Sequence, residues 1–231
     1  MRLIAWNANY NNRRRSFEAD LELLAHLNGD VIVLSETSRP RMEVSGQVVW
    51  VGGEAAGLVV AARNGYSVEP SEASMDAPRL SGGFKVDGPL KFSLVAVWPV
   101  KRMQGDSYAQ ILNACLDFHF SLLSGGRVVL AGDLNSNSRV TGQALSHPRF
   151  VTRATALGLT SVYHHESGEE HGCETRVTYL HGKTSPRPFC IDYCFVSKAW
   201  LDSAALQILD GPAWESLSDH FPLVLDLPDG L

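Results

Sequence analysis

The chain has 231 residues, of which 45% are hydrophobic and 19% charged, with a formal net charge of −5. This is the balance of an ordinary single-domain globule able to bury roughly 70–75% of its unfolded surface. It argues against a generally basic nucleic-acid binder, although a cation and a local basic rim could still meet a polyanion. No run reaches transmembrane length and no signal peptide is recognisable, so no membrane association is expected. The cysteines Cys115, Cys173, Cys190 and Cys194 form no CxxC pair and no disulfide framework, which suits a reducing, cytoplasmic setting.

In chain order, residues 2–8 read as a buried strand and residues 16–28 as an amphipathic helix. Ser16 is its N-cap, Phe17, Leu21 and Leu24 share one face, and Asn28-Gly29 stops it. Residues 30–36 form a second buried strand that delivers Glu36 at its exit. Between 47 and 98, short β-branched and aromatic runs separated by Gly, Pro and Asn read as one antiparallel meander. A long helix at about 106–123 follows, then a strand over 127–135 ending in Asp133, and a helix near 148–157. Residues 160–187 read as polar and irregular, and strands within 188–197, 204–209 and 221–227 close the chain. The pattern predicts a single domain over 1–231, an α/β fold of two packed sheets flanked by helices.

Five strings place polar residues at the ends of these strands: WNAN at 6–9, LSE at 34–36, GDLN at 132–135, IDY at 191–193 and SDH at 218–220. Strand ends are where an α/β sandwich gathers polar groups. Together Asn7, Asn9, Glu36, Asp133, Asn135, Asp192, Asp219 and His220 would make an oxygen-rich pocket with one imidazole. Carboxylate and amide oxygens suit a hard divalent cation such as magnesium, and such a pocket suits phosphoester hydrolysis, where charge develops on phosphoryl oxygens.

The order and spacing of these strings over residues 3–227 resemble the endonuclease/exonuclease/phosphatase superfamily of metal-dependent phosphoesterases, and the 163–197 stretch looks like a bacterial branch of it with mostly unassigned substrates. The resemblance implies a four-layer α/β/β/α sandwich with two packed mixed sheets and a cleft at one end. It assigns Glu36 to the metal, Mg2+ or Mn2+, with help from Asn9 and Asp219. It implies that Asn7 and Asn135 hold the scissile phosphate or the catalytic groups. Asp133 would orient or deprotonate the attacking water, and His220 paired with Asp192 would stabilise the transition state. A DNA endonuclease or exonuclease is the first expectation. The rivals are a phosphatase or phosphodiesterase acting on a small-molecule or lipid phosphoester, and a non-catalytic binding protein that retains the cleft. No obligate protein partner is implied.

One position departs from the superfamily pattern. Where many members place a second His or a Tyr at the end of the strand SLVAVW, this chain has Trp98. Trp has no acceptor and cannot act as a general acid, but it offers a stacking face for a base. Lys101 and Arg102 just beyond it are candidate phosphate contacts. Arg13, with Arg14 and Arg15, reads as a basic rim beside the cleft or as an exposed loop. His164, His165, His171 and Cys173 have zinc-binding chemistry but irregular spacing. They are expected on a solvated or substrate-facing loop, with His165 as the substrate contact.

Overall fold

The computed structural model describes residues 1–42, 45–53, 56–71, 78, 80–101, 107–182 and 187–228. Its elements in chain order are β1 (Arg2–Asn7), α1 (Tyr10–Arg13), α2 (Phe17–Leu24), β2 (Val31–Thr37), β3 (Val48–Gly52), β4 (Gly57–Ala62), β5 (Ser67–Pro70), β6 (Ser81–Asp87) and β7 (Phe92–Val97). These are followed by α3 (Tyr108–Phe118), α4 (Phe120–Leu123), β8 (Val128–Asp133), α5 (Ser146–Ala156), β9 (Leu159–Ser161), α6 (Val162–Ser167), β10 (Tyr179–His181) and β11 (Arg187–Phe189). The last are β12 (Asp192–Ser197), α7 (Lys198–Leu201), β13 (Ala205–Ile208), α8 (Pro212–Glu215) and β14 (Leu223–Asp226).

Two six-stranded mixed sheets, ordered β13-β14-β1-β2-β4-β3 and β5-β6-β7-β8-β12-β9, are joined by a small β10-β11 hairpin. The central strands are buried on both faces, which is why they read as continuous apolar runs. Alternation sorts their side chains into layers. Leu3, Ala5, Val31 and Val33 of one sheet share a core with Leu94, Ala96, Val129, Ala131 and Cys194 of the other. The intervening Ile4, Trp6, Ile32 and Leu34 pack under α2 through Phe17 and Leu24. On the opposite outer face, Val95, Val97, Leu130 and Phe195 pack against Leu112 and Leu116 of α3 and Phe150 and Ala154 of α5. The result is a four-layer α/β/β/α sandwich.

Ser16 caps α2 as expected, its Oγ accepting from Ala19 N at 3.3 Å. The expected single meander is instead divided. Strands β3 and β4 extend the first sheet, whereas β5–β7 belong to the second. The corner is the turn Arg63–Tyr66, closed by Tyr66 N donating to Arg63 O at 3.1 Å, with Asn64 and Gly65 both left-handed (φ 56 and 84). Strand-like composition alone does not say which sheet a run joins. The polar 160–187 stretch also holds more order than expected, namely α6 and the β10-β11 hairpin. No helix among the described residues is long and apolar enough to cross a membrane.

Candidate active site

The site is assembled where β1, β2 and β8 end, β12 begins and the segment before β14 passes. Parallel pairing of β1 and β2 sets Asn7 beside Ser35, next to Glu36. Antiparallel pairing of β8 and β12 sets Asp133 directly opposite Asp192. The 218–220 segment is tied to β1 by Ser218, whose Oγ donates to Asn7 O at 2.8 Å and accepts from His220 N at 3.1 Å. Trp6 Nε1 donates to His220 O at 3.0 Å.

Buried Asp192 and His220 face each other, with His220 Nδ1 2.9 and 3.1 Å from the two Asp192 oxygens. The ring's other nitrogen, Nε2, points toward Asp133, 4.0 Å from Oδ2. Asp133 is 1% exposed. It accepts from Asn7 Nδ2 at 2.9 Å, from Asn135 Nδ2 at 3.0 Å and from Asn135 N at 2.8 Å. Burial raises the Asp133 pKa, and the nearby imidazole opposes that rise without cancelling it. For His220 burial pulls downward, but Asp192, Asp133 and Asp219 together raise the pKa. The surrounding carboxylates thus favour the charged form of the His220 imidazole.

Glu36 lies on the other side of Asn7, whose Nδ2 is 3.5 Å from Oε2, and Asn11 Nδ2 donates to Oε1 at 2.9 Å. Asn9 holds Asp219, donating from Nδ2 to Oδ1 at 2.7 Å, while its own Oδ1 accepts from Asn12 at 2.6 Å. Glu36 and Asp219 are half-buried carboxylates, each held by the Nδ2 of a neighbouring Asn, and the ligand atoms they themselves offer are oxygens. That set fits a hard cation such as magnesium or manganese. The buried trio Asp133, Asp192 and His220 also has ligand atoms within 4.8 Å of one another.

Backbone strain concentrates here. Among the described residues seven non-glycine residues have positive φ, and Asn9 (54), Glu36 (48) and Asn135 (51) are three of them. Glu36 falls where the β2–β4 register shifts, between Leu34 and Thr37. Such conformations persist only where the surroundings over-determine them. Gly132, at φ 135, leaves room for β7: a Cβ there would lie 2.1 Å from Val97 O. Only glycine allows β8 to approach β7 and still deliver Asp133 into the cleft.

Two cavities flank the centre. One, of about 260 Å3, is lined by Tyr108, Asn135, Tyr179, His181, Arg187 and Phe189 among others. The second, of about 400 Å3, includes Asn9, Asn12, Arg13 and Asp219. Tyr108 and Tyr179 are the groups that pattern reading missed. The Tyr179 ring packs on His220 with centroids 4.4 Å apart. Its hydroxyl is pushed up to about 12 by burial and by Asp219, Asp133 and Glu36. Tyr108 is raised by burial and by Asp133. In sequence Tyr108 looked like one more apolar position on a helix stripe, and Tyr179 sat in a stretch without periodicity.

Several expected contacts lie elsewhere. Trp98 is 7% exposed and belongs to the inter-sheet core, so it offers no stacking face. The reason is positional: its N donates to Leu80 O at 2.7 Å, so the residue still behaves as strand. His165 faces exposed Asp202, with Nε2 3.3 Å from Oδ1, and lines neither flanking cavity. Arg15 turns inward, pairing with buried Asp20 and bonding Leu217 O and Ala8 O, so it is no part of a basic rim. Arg13 does stand at the cavity edge, and Lys101 Nζ sits 4.2 Å over the Tyr108 ring. Arg102 lies outside the described residues. His164 and His171 turn into a second cluster with His147 and Glu174, leaving Cys173 exposed.

A sequence profile of the Endonuclease/Exonuclease/phosphatase family matches residues 4–220. The chain belongs to this family. Similar solved structures include a 3′ phosphatase from Neisseria bound to product DNA hairpin, at TM-score 0.74 and 20% identity, covering 99% of each chain. A 3′-5′ exonuclease from Neisseria meningitidis follows at 0.66 and 19%, covering 98% of this chain and 99% of that one. An AP endonuclease from Archaeoglobus fulgidus gives 0.68 and 16%, with the same coverage of 98% and 99%. No protein of curated function matches the sequence. At these identities the structural likeness establishes the fold.

Proposed function

We propose that this protein is a cytoplasmic, magnesium- or manganese-dependent phosphodiester hydrolase acting on DNA, as an endonuclease or exonuclease. The observation that carries this reading is the buried Asp192–His220–Asp133 group, 4.0 Å open between His220 Nε2 and Asp133 Oδ2, beside the carboxylates Glu36 and Asp219. A bound magnesium or manganese ion held by Glu36 and Asp219 would neutralise charge on the phosphoryl and leaving oxygens.

The chain's own residues supply the rest. Asp133, its pKa raised by burial, accepts a proton from the attacking water. Asn7 and Asn135 fix the Asp133 carboxylate through both oxygens. The water oxygen forms a bond to phosphorus as the bond to the leaving oxygen breaks. His220, kept cationic by Asp192, faces the developing charge with Nε2–H. Tyr108 and Tyr179, with hydroxyls kept protonated, line the adjoining cavity, where the group bonded to the phosphate would lie. Arg13 and Lys101 stand at the edges of the cleft, where a nucleic-acid backbone would pass.

A second reading is favoured by the small size of the cavity beside Asn135 and by the 3′ phosphatase among the similar structures. In it, the cleft takes a terminal phosphate or a small-molecule or lipid phosphoester. One experiment separates the two. Purified protein with magnesium or manganese is assayed on supercoiled plasmid, an abasic duplex, a 3′-phosphorylated hairpin, single-stranded DNA, RNA and an aryl phosphodiester. Cleavage of internal DNA linkages supports the first reading. Release of phosphate from the hairpin, or turnover of the aryl ester alone, supports the second.

A further inference from the structure

We propose that His164, His171 and Glu174 form a zinc site, outside the phosphoester cleft. Their ligand atoms lie within 4.8 Å of one another. Two imidazoles and one carboxylate are a donor set that zinc favours over magnesium, with water completing a tetrahedron.

The hydrogen bonds around the cluster leave a lone pair on His171. Gln143 Nε2 donates to Asn135 O at 3.0 Å, so Gln143 Oε1 accepts the Ser136 hydroxyl at 2.6 Å. Ser136 has no second proton, so at 3.0 Å its oxygen accepts Nδ1–H of His147. His147 Nε2 is then an acceptor, and the 3.1 Å contact must be a donation from His171 Nδ1–H. One direction runs through the chain and ends with Nε2 of His171 as a free lone pair. This is the arrangement of a metal-bound imidazole, whose second nitrogen is oriented by a neighbour.

His164 is already engaged with Glu174, a contact that a shared ion would replace. Its Nδ1 is 2.8 Å from Ser161 Oγ, which can donate or accept, and its Nε2 is 3.2 Å from Glu174 Oε1. The Glu174 side chain is 2% exposed. Asn137 Nδ2 and Gly172 N each donate to it at 2.9 Å. Its ion-pair partner among the described residues is an imidazole, and a buried carboxylate in that position is improved by a cation. The rings of His164 and His171 stack at 3.5 Å and 16°. A shared ion lies in both ring planes only if His171 tilts out of the stack. His171 stands on a loop between left-handed Gly168 and Gly172, at φ 69 and 96. A cavity of about 220 Å3 adjoins Glu174 and is also lined by Cys190, Arg139 and Arg176, the last paired with Asp210. Zinc there would clasp the 168–176 loop to the segment carrying Asp133, through Asn137.

The full chain, stripped by chelation, is titrated with zinc and with cobalt(II), in wild type and in Glu36→Gln, which weakens any cation site in the cleft. One equivalent binding in Glu36→Gln, with intense visible absorption of tetrahedral cobalt, is expected. His171→Asn and Glu174→Gln, each placed in the Glu36→Gln chain, should weaken zinc binding at least about tenfold. No zinc binding in Glu36→Gln, weak octahedral cobalt bands, or affinity unchanged by both loop substitutions would overturn the proposal. If a loop variant fails to fold, His164→Asn in the Glu36→Gln chain takes its place, and unchanged zinc affinity there overturns the proposal, because the Asp133–Asp192–His220 group is left intact. The result is independent of whether the cleft hydrolyses DNA.

Discussion

The two histidine clusters of this molecule are built from similar residues and tuned in opposite directions. In the cleft, His220 meets carboxylates on several sides, and its pKa rises despite burial. In the second cluster, burial and neighbouring imidazoles hold His147 at about 4 and His171 at about 3. Burial alone would raise Glu174, but hydrogen bonds from His164, Gly172 N and Asn137 bring it down to about 2. Carboxylates favour the charged imidazole in one cluster, whereas burial favours the neutral form of His147 and His171 in the other. The number of carboxylates per imidazole decides which role a buried histidine takes.

The largest effects should come from the charged cluster. Glu36→Gln should lower turnover by several kcal/mol, on the order of 10³-fold, with an unchanged melting temperature. Near wild-type rates at limiting magnesium would remove Glu36 from the metal assignment. His220→Ala and Asp192→Asn should each cost about 10²–10⁴-fold. Because the two act as one unit, the double variant should lose much less than the product, and multiplicative losses in kcat would show that they act separately.

Trp98→Ala should cost about 3–5 kcal/mol of stability, by urea unfolding, and leave the substrate KM unchanged, with Trp98→Phe milder. A raised KM at unchanged stability would return Trp98 to the substrate surface.

The clusters should also respond to pH with opposite signs, which can be read on chelated protein. His147 is depressed when folded, so below about pH 6.5 the unfolded chain binds the proton first. Stability should fall by about 3 kcal/mol from this residue as pH drops to 4. Buried His119, also at about 4, adds to the same trend. His220 is raised, so its contribution is present at low pH and is lost as pH climbs above the ordinary imidazole range. His147→Gln should flatten the acid limb alone, and an unaltered limb would mean that His147 is already charged in the fold.

The smallest effect concerns the rim. Arg13→Ser should reduce the slope of log affinity for DNA against log salt by about one, without altering turnover of an aryl phosphodiester. An unchanged slope would take Arg13 out of the DNA path.

The cleft was readable because Asn7, Glu36 and Asp133 close doubly buried strands, where an apolar run ending in Asn, Asp or Glu marks both a strand and its exit, while Asp192, Asp219 and His220 stand at or before the start of one. The doubly buried strands also made the sandwich legible. The second cluster could not be read so. His147 comes from α5, His164 from α6 and Glu174 from a loop, and no periodicity links them. Trp98 was misjudged because, one residue past the end of β7, it still bonds Leu80 O as a strand residue would and stays in the inter-sheet core, which its place at the end of an apolar run does not reveal. The inward turn of Arg15 depends on Asp20, which reads as an N-terminal helix charge until it is found 1% exposed.

The pairing of β1 with β14 joins residues 224 apart, and Arg2 and Asp226 close it with an ion pair at 2.8 Å. Strand β1 sits in the middle of its sheet, yet this neighbour is synthesised last among the paired strands. On a ribosome adding about 5–20 residues per second, β1 would wait some ten to forty seconds with one edge open. That edge is apolar and unpaired for the interval, and so exposed to wrong partners. The 218–220 segment arrives immediately before β14, so Asp219 and His220 reach the cleft only as this edge closes. Refolding should accordingly be slow and dominated by one long-range step, with the cleft completed at the end of it.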